Sequence, residues 1–214
     1  MRTGAEYLES LRDGRKVWVM GEGQVDDITT HAATSAMVRE YVTWYDRHFD
    51  SAWQDVLLTS PQAGTERLPL AFLVPTSADD LRRMGKSFAA TIFLSAGNIT
   101  HTPAYGNLIA LGILDAVQRL NPSPEHVATA AQYRDWLART GRFLTFAGGA
   151  ATIGYRMRED PDARASMRLI KETDAGIVVS GKIGMHTAVP FAEDVYIGTI
   201  GAVTGGRSRV SSTI

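Results

Sequence analysis

The 214-residue chain contains no cysteine, which excludes disulfide bonds, thiolate nucleophiles and cysteine-based zinc sites. It also lacks an excess of charge of one sign, because 22 Lys and Arg residues stand against 23 Asp and Glu residues. Nucleic acid is therefore not an expected partner, since binding to phosphates needs a basic surface. Charged residues interrupt every apolar run well before the roughly 20 residues that a membrane span needs. The remaining class is a globular protein, whose 44% hydrophobic residues can bury a substantial core.

The N-terminal segment has the pattern of a short capped helix rather than that of a signal peptide. Thr3 and Glu6 have the spacing of a capping box, and Gly14 ends the helical pattern. Because no signal peptide is indicated, we expect a cytoplasmic protein. Two short strands around Val17 and Val25, joined by a glycine-containing turn, should form a small ribbon.

The chain that follows the ribbon is predicted to be mainly helical. Apolar spacing and capping signals predict helices over residues 34–48, 78–94, 103–120 and 125–139. Residues 70–75 are predicted to be a buried extended run that ends at a proline. Three aromatic residues near the first of these helices have a spacing typical of a core rather than of a ligand cage: Trp44, Tyr45 and Trp53.

The pattern changes to strands after about residue 163. Strands are predicted at 167–173, 176–182 and 195–203, and Gly176 suits the turn of a hairpin. We therefore expect an α+β chain with three parts: a helical domain over 1–160, a partial antiparallel β domain over 161–204 and a flexible tail over 205–214. So few strands cannot close a barrel or a sandwich, so the sheet edge needs cover from the helical part, a second copy or another chain.

His101 and Tyr105 are the polar residues with the most distinctive context. They flank Pro103, the predicted first residue of a buried helix, so both side chains could face one cleft beside a helix N-terminus. The alternative is a purely structural role. The five histidines have no metal-binding spacing, and we therefore expect no metal site.

Two blocks of sequence resemble the 4-hydroxyphenylacetate 3-monooxygenase oxygenase component family. The first covers residues 2–15 and continues at 17–18 and 27–31, and the second covers 172–181 and continues at Thr187 and 190–193. The resemblance implies an acyl-CoA-dehydrogenase-like fold, matched in its N-terminal and middle domains but without its C-terminal helical bundle. It also implies reduced FAD from a separate reductase, dioxygen as co-substrate and hydroxylation of a phenol-like substrate.

The resemblance also assigns roles to individual residues. Tyr105 keeps a tyrosine that the family places near the flavin and substrate, whereas His101 replaces the arginine of the same motif. Thr187 matches the middle-domain threonine that approaches the flavin ring. Ala147 lies near the position of the family's catalytic histidine. His101 and Tyr105 are thus the candidate catalytic residues, and Thr187 is the candidate FAD contact.

Three functions follow from this resemblance. The preferred one is a subunit of a split, heteromeric aromatic monooxygenase, in which a partner chain supplies the helical bundle and the missing catalytic groups. The second is a non-catalytic binding or scaffolding subunit, which the replaced arginine and histidine favour. The third is a flavin enzyme of altered chemistry, such as N-oxygenation or dehydrogenation.

Overall fold

The computed structural model describes residues 1–60, 66–92, 97, 102–120, 123–148, 167–181 and 187–198. The chain divides into two compact units, and each consists of two stretches of chain. The first unit combines Met1–Thr145 with Ala188–Val195, and the second combines Phe146–Thr187 with Tyr196–Ile214. The predicted boundary at residue 160 and the predicted tail over 205–214 lie outside the described residues.

The first unit begins with helix α1 (Gly4–Ser10), and its predicted capping box is present. The Thr3 hydroxyl accepts a hydrogen bond from the Glu6 amide at 3.2 Å, and the Glu6 carboxylate accepts one from the Thr3 amide at 2.7 Å. Strands β1 (Val17–Val19) and β2 (Gly23–Val25) then form the predicted antiparallel ribbon. Two local sequence features, the capping box and the glycine-containing turn, therefore specify this part of the chain.

The predicted helices of the first unit are confirmed, with ends that differ by a few residues. They are α2 (Ser35–Arg47), α4 (Ala78–Ile92), α5 (Pro103–Arg119) and α6 (Pro124–Thr140). A single-turn helix that the sequence did not indicate, α3 (Gln54–Leu57), lies after α2. The end of α6 is marked by Gly141, whose φ of 67° is left-handed and suits a residue without a Cβ. None of the described helices has the length and apolar character that a bilayer crossing requires.

The predicted extended run at residues 70–75 is wrong in its conformation, although its first residues are buried. Leu70–Phe72 form a turn of 3-10 helix. The Phe72 amide donates to the carbonyl of Pro69 at 2.9 Å, and the Leu73 amide donates to that of Leu70 at 3.0 Å. These local bonds satisfy backbone groups that a strand would have paired with a neighbour, so a buried apolar run was not evidence for a strand.

The core of the first unit is rich in aromatic side chains. Tyr7 of α1 stacks on Tyr45 of α2, with ring centroids 4.8 Å apart, and both side chains are fully buried. Tyr41 forms T-shaped ring pairs with Tyr7 and with Phe143, with ring centroids 6.2 and 5.0 Å apart. The expectation that three aromatic residues belong to the core is confirmed for Trp44 and Tyr45, which are buried, whereas Trp53 is only half-buried. This cluster joins the N-terminal helix to α2 and to residue 143.

Four further strands complete the described chain. Strands β3 (Leu144–Gly148) and β6 (Asp194–Gly198) pair with each other, and the boundary between the two units falls within both of them. Strands β4 (Met167–Thr173) and β5 (Gly176–Gly181) form the predicted antiparallel hairpin, in which Thr173 faces Gly176. The α+β class is therefore confirmed, whereas β3 was not predicted.

Candidate functional site

Tyr105 lies in the first turn of α5, as its sequence context predicted. Pro103 is the first helical residue, and Thr102 before it has the extended backbone of a cap, with ψ of 149°. The Tyr105 amide donates to the Thr102 carbonyl at 3.1 Å. Tyr105 is half-buried, and the helix fixes its backbone.

The residue after Tyr105 brings α5 into direct contact with strand β3. A Cβ atom at Gly106 would lie only 1.8 Å from the carbonyl oxygen of Leu144, so only glycine permits this approach. Asn107, the next residue, is 2% exposed, and its Nδ2 has no hydrogen-bond partner among the residues that the structure describes. The turn that carries Tyr105 is therefore held closely against the first residue of β3.

Ala147 lies three residues further along β3 and is 2% exposed. Its methyl group cannot accept or donate a proton. At this position, which the resemblance aligns near the family's catalytic histidine, the chain supplies no group for acid or base catalysis.

Thr187 is exposed and directly precedes a residue with unusual backbone geometry. Ala188 has φ of 66° and is the non-glycine residue with positive φ in the described chain. It introduces a 3-10 turn over Val189–Phe191. A threonine hydroxyl can donate a hydrogen bond to a ligand, and sparsely populated backbone conformations such as that of Ala188 are often found at functional sites.

The segment after Thr187 ends at Glu193, which forms a buried ion pair with Arg2. The two guanidinium nitrogens Nη1 and Nη2 bind the two carboxylate oxygens at 2.6 and 2.5 Å, and Nη2 also donates to the hydroxyl of Tyr45 at 3.1 Å. Burial opposes both charges, but the hydrogen bonds between Arg2 and Glu193 outweigh it, so the pKa of Arg2 is raised and that of Glu193 is lowered. Both groups therefore remain ionised.

A groove of about 390 Å³ lies in the first unit, between the β1 region and the segment after Thr187. Eight residues line it: Asp13, Arg15, Lys16, Val17, Trp18, Val189, Pro190 and Ala192. Neither Tyr105 nor Thr187 is among them. The groove was not predicted from the sequence, because its two walls are more than 170 positions apart along the chain.

The predicted site residues have different outcomes. Tyr105 is half-buried and belongs to the first unit, Thr187 is exposed and belongs to the second, and their predicted roles stay predictions. His101 lies outside the described residues. The contacts that Arg2 and Arg15 make to residues 190–193 were missed, because nothing in their local sequence indicates partners so distant along the chain.

Comparison with known proteins identifies the family. The family profile described as 4-hydroxyphenylacetate 3-hydroxylase N terminal matches residues 3–211. The chain belongs to this family. The resemblance that the two sequence blocks predicted is thereby confirmed.

Relatives of the hydroxylase family extend the comparison. The oxygenase component of 4-nitrophenol 4-monooxygenase/4-nitrocatechol 2-monooxygenase from Rhodococcus opacus is 30% identical, over 94% of this chain and 39% of its own length. An FADH(2)-dependent monooxygenase from Burkholderia cepacia is 28% identical, over 94% of this chain and 40% of its own. The crystal structure of the oxygenase component (HpaB) of 4-hydroxyphenylacetate 3-monooxygenase complexed with FAD superposes with a TM-score of 0.78 at 25% identity, covering 93% of this chain and 41% of that one.

The coverage figures set the extent of the similarity. The chain spans about two fifths of the length of these relatives. Within that part, the fold is the acyl-CoA-dehydrogenase-like fold that the resemblance implied. The hydroxylase family is thus established for this chain. The matched residues 3–211 include Tyr105, Ala147 and Thr187.

Proposed function

We propose that this chain is the N-terminal and partial middle portion of a reduced-flavin-dependent monooxygenase that hydroxylates a phenol-like aromatic substrate. The observation that carries the proposal is the similarity over more than nine tenths of the chain to a structure complexed with FAD. A relative named as FADH(2)-dependent supports reduced flavin as the cofactor, and a nitrophenol monooxygenase supports a phenol as the substrate class. Such systems use a separate reductase, which we include as a partner.

The residues present fit a flavin in part. The Thr187 hydroxyl is a suitable hydrogen-bond donor to the polar edge of a flavin ring, and a 3-10 turn over Val189–Phe191 follows it closely. Reduced FAD would supply the activation of dioxygen. The chain itself would bind the ring through Thr187 and orient the substrate.

Tyr105 and His101 are the groups that we assign to the phenol substrate. The Tyr105 phenol group can donate a hydrogen bond to the substrate hydroxyl or accept one from it, and its half-buried position restricts access of water. An imidazole has an ordinary pKa near 6.5, so His101 would serve as the base that removes the phenol proton. Substrate deprotonation raises the electron density of the aromatic ring at the carbon beside the hydroxyl.

We further propose that a partner chain supplies the portion of the relatives that this chain does not span. In support, a buried methyl group occupies position 147, where proton transfer would need a polar side chain. The test is co-expression of this chain with a protein of the same family that a neighbouring gene encodes, followed by size-exclusion chromatography. The purified complex is then assayed for hydroxylation of 4-nitrophenol and 4-hydroxyphenylacetate, with FAD, a flavin reductase and dioxygen.

The expected result is co-elution of the two chains and product formation that requires both. If the chain elutes alone and adds nothing to turnover by the second protein, the split-enzyme proposal is wrong. The buried Ala147 fits equally well a competing function, a scaffolding subunit that stabilises a catalytic partner. In that case the two chains co-elute, but turnover does not depend on Tyr105 or His101.

Analysis of products from candidate amines tests the third function, a flavin enzyme of altered chemistry.

A further inference from the structure

The segment that follows Thr187 has a conformation that needs external support. Ala188 is left-handed, which is unfavourable for a residue with a Cβ and persists only where surrounding contacts fix it. Its carbonyl accepts hydrogen bonds from the amides of Phe191 and Ala192, at 2.9 and 3.1 Å. These local bonds form a single turn, and a single turn has little stability by itself.

Arg15 supplies part of that support from the other end of the chain. Its Nη1 donates to the carbonyl of Pro190 at 2.9 Å and to that of Ala192 at 3.0 Å. The Arg15 side chain is 15% exposed, so these charged hydrogen bonds are largely shielded from water. One guanidinium group thus holds two carbonyls of the segment.

Asp13 fixes the orientation of that guanidinium group. Its two carboxylate oxygens accept hydrogen bonds from Nε and Nη2 of Arg15, both at 2.8 Å, and Oδ1 also accepts one from the Arg15 amide at 3.0 Å. Gly14, between these two residues, has φ of 82°, a left-handed conformation that glycine adopts without a steric penalty. Nη1, the guanidinium nitrogen that does not bind Asp13, donates to the two carbonyls.

A second residue of the N-terminal region completes the set of contacts. The Tyr7 hydroxyl donates to the carbonyl of Phe191 at 3.0 Å. Three successive carbonyls, of Pro190, Phe191 and Ala192, therefore each accept a hydrogen bond from a side chain of the N-terminal fifteen residues. This arrangement fixes the path of the backbone immediately after Thr187.

We propose that Arg15, held by Asp13, is a positioning residue that fixes the backbone beside Thr187 before a flavin binds. It acts through the carbonyls of Pro190 and Ala192 and does not itself contact the ligand. The identity of the ligand of Thr187 rests on the proposed function. The fixing of the segment does not, and it can be measured without flavin.

The first test compares amide hydrogen exchange in the purified chain and in the variants Arg15→Gln and Arg12→Gln. Arg12 is the matched control, because it lies on the same stretch of chain but is half-exposed and bonds to the exposed Glu9 at 2.6 Å. For Arg15→Gln, the amides of Phe191 and Ala192 should exchange about tenfold faster, or more, relative to those of α2. Arg12→Gln should leave them unchanged. Asp13→Asn, which keeps the charge of Arg15 but loosens its orientation, should give a smaller increase.

The second test titrates the same proteins with FAD and follows flavin fluorescence. Arg15→Gln and Thr187→Val should each lower the affinity for FAD. The double variant should bind FAD as well as the poorer of the two single variants, because both changes remove the same contact. Unchanged exchange at residues 191 and 192 in Arg15→Gln overturns the proposal. The proposal is also overturned if Arg15→Gln shows faster exchange but binds FAD with the affinity of the parent, while Thr187→Val binds FAD more weakly. If the parent binds no FAD, the flavin function fails, and the exchange result alone decides whether Arg15 fixes the segment.

Discussion

Arg2 and Glu193 lie 191 positions apart in the sequence and form a bidentate ion pair inside the first unit. Their side chains are 12% and 6% exposed, and Arg2 lies over the rings of Tyr7 and Tyr45, at 5.1 and 4.9 Å. Glu193 also accepts a hydrogen bond from the Phe143 amide at 3.0 Å. The pair therefore joins the N-terminus, helix α2, residue 143 and the segment after Thr187.

The first prediction concerns this ion pair. Arg2→Gln or Glu193→Gln should each lower the free energy of unfolding by about 3–5 kcal/mol, because each removes the bidentate partner of a buried charge. After Arg2→Gln, Arg142 compensates only in part, since its Nη1 lies 4.0 Å from the Glu193 carboxylate. Urea unfolding followed by circular dichroism measures the change. The matched control is Arg12→Gln, which breaks an exposed pair with Glu9 and should cost about 1 kcal/mol or less. Equal losses for Arg2→Gln and Arg12→Gln would contradict the buried character of the pair.

The second prediction concerns the dependence of stability on pH. His48 is 4% exposed, and burial lowers its pKa from 6.5 to about 4, although its Nδ1 lies 2.9 Å from the Trp44 carbonyl. The unfolded chain therefore binds a proton at His48 that the folded chain does not bind between these two pH values. The contribution of the buried neutral His48 to the free energy of unfolding is fully present above pH 6.5. It is lost as the pH falls toward about 4, and the total loss is about 3 kcal/mol.

The variant His48→Asn tests this prediction, because its amide can still donate to the Trp44 carbonyl but does not titrate. Unfolding free energies of parent and variant are measured from pH 8 to pH 4. The difference between the two proteins should change steadily in the acidic half of that range, in favour of the variant as the pH falls. A constant difference would show that His48 titrates alike in both states.

The third prediction concerns the close contact between α5 and β3. Gly106→Ala should be strongly destabilising, by about 2 kcal/mol or more, since a Cβ would overlap the Leu144 carbonyl and force the helix away. Gly112→Ala on the same helix meets no atom within 4 Å, so it should be neutral or stabilising by up to about 1 kcal/mol. Thermal unfolding of the two variants distinguishes these effects. Similar melting temperatures would mean that α5 does not approach β3 so closely.

The fourth prediction concerns the proposed chemistry. In an active complex, Tyr105→Phe should lower kcat/KM for the phenol substrate by about tenfold to a hundredfold, because one hydrogen bond to the substrate hydroxyl is lost. Thr187→Val should instead raise the apparent KM for reduced FAD. Size-exclusion chromatography shows whether the complex persists in each variant. Full activity of Tyr105→Phe in an intact complex would favour the scaffolding function.

Local sequence signals were sufficient for much of the fold. The capping box of Thr3 and Glu6, the proline at the start of α5 and the glycine at 141 act within one or two helical turns, so their effects follow from neighbouring residues. The hairpin at Thr173–Gly176 was predicted for the same reason. In contrast, the apolar run that begins at Leu70 was predicted to be extended, because burial alone does not distinguish a strand from a helical turn.

The candidate site was predictable only in part. Resemblance pointed to Tyr105 and Thr187, of which the first is half-buried and the second exposed. It did not indicate how the backbone beside Thr187 is held. Strand β3 was also missed, since its partner β6 lies some 50 residues later and pairing over such a distance leaves no local pattern.

The sequence by itself determined the absence of thiol chemistry, the helical first part, the hairpin and the family to which the chain belongs. These depend on composition, on periodicity or on contiguous motifs. Only the tertiary structure decided that Arg2 binds Glu193, that Arg15 binds the carbonyls of Pro190 and Ala192, and that Gly106 contacts Leu144. Such contacts join residues far apart in sequence, and a guanidinium group can pair with many carboxylates and carbonyls until the fold brings one set within reach.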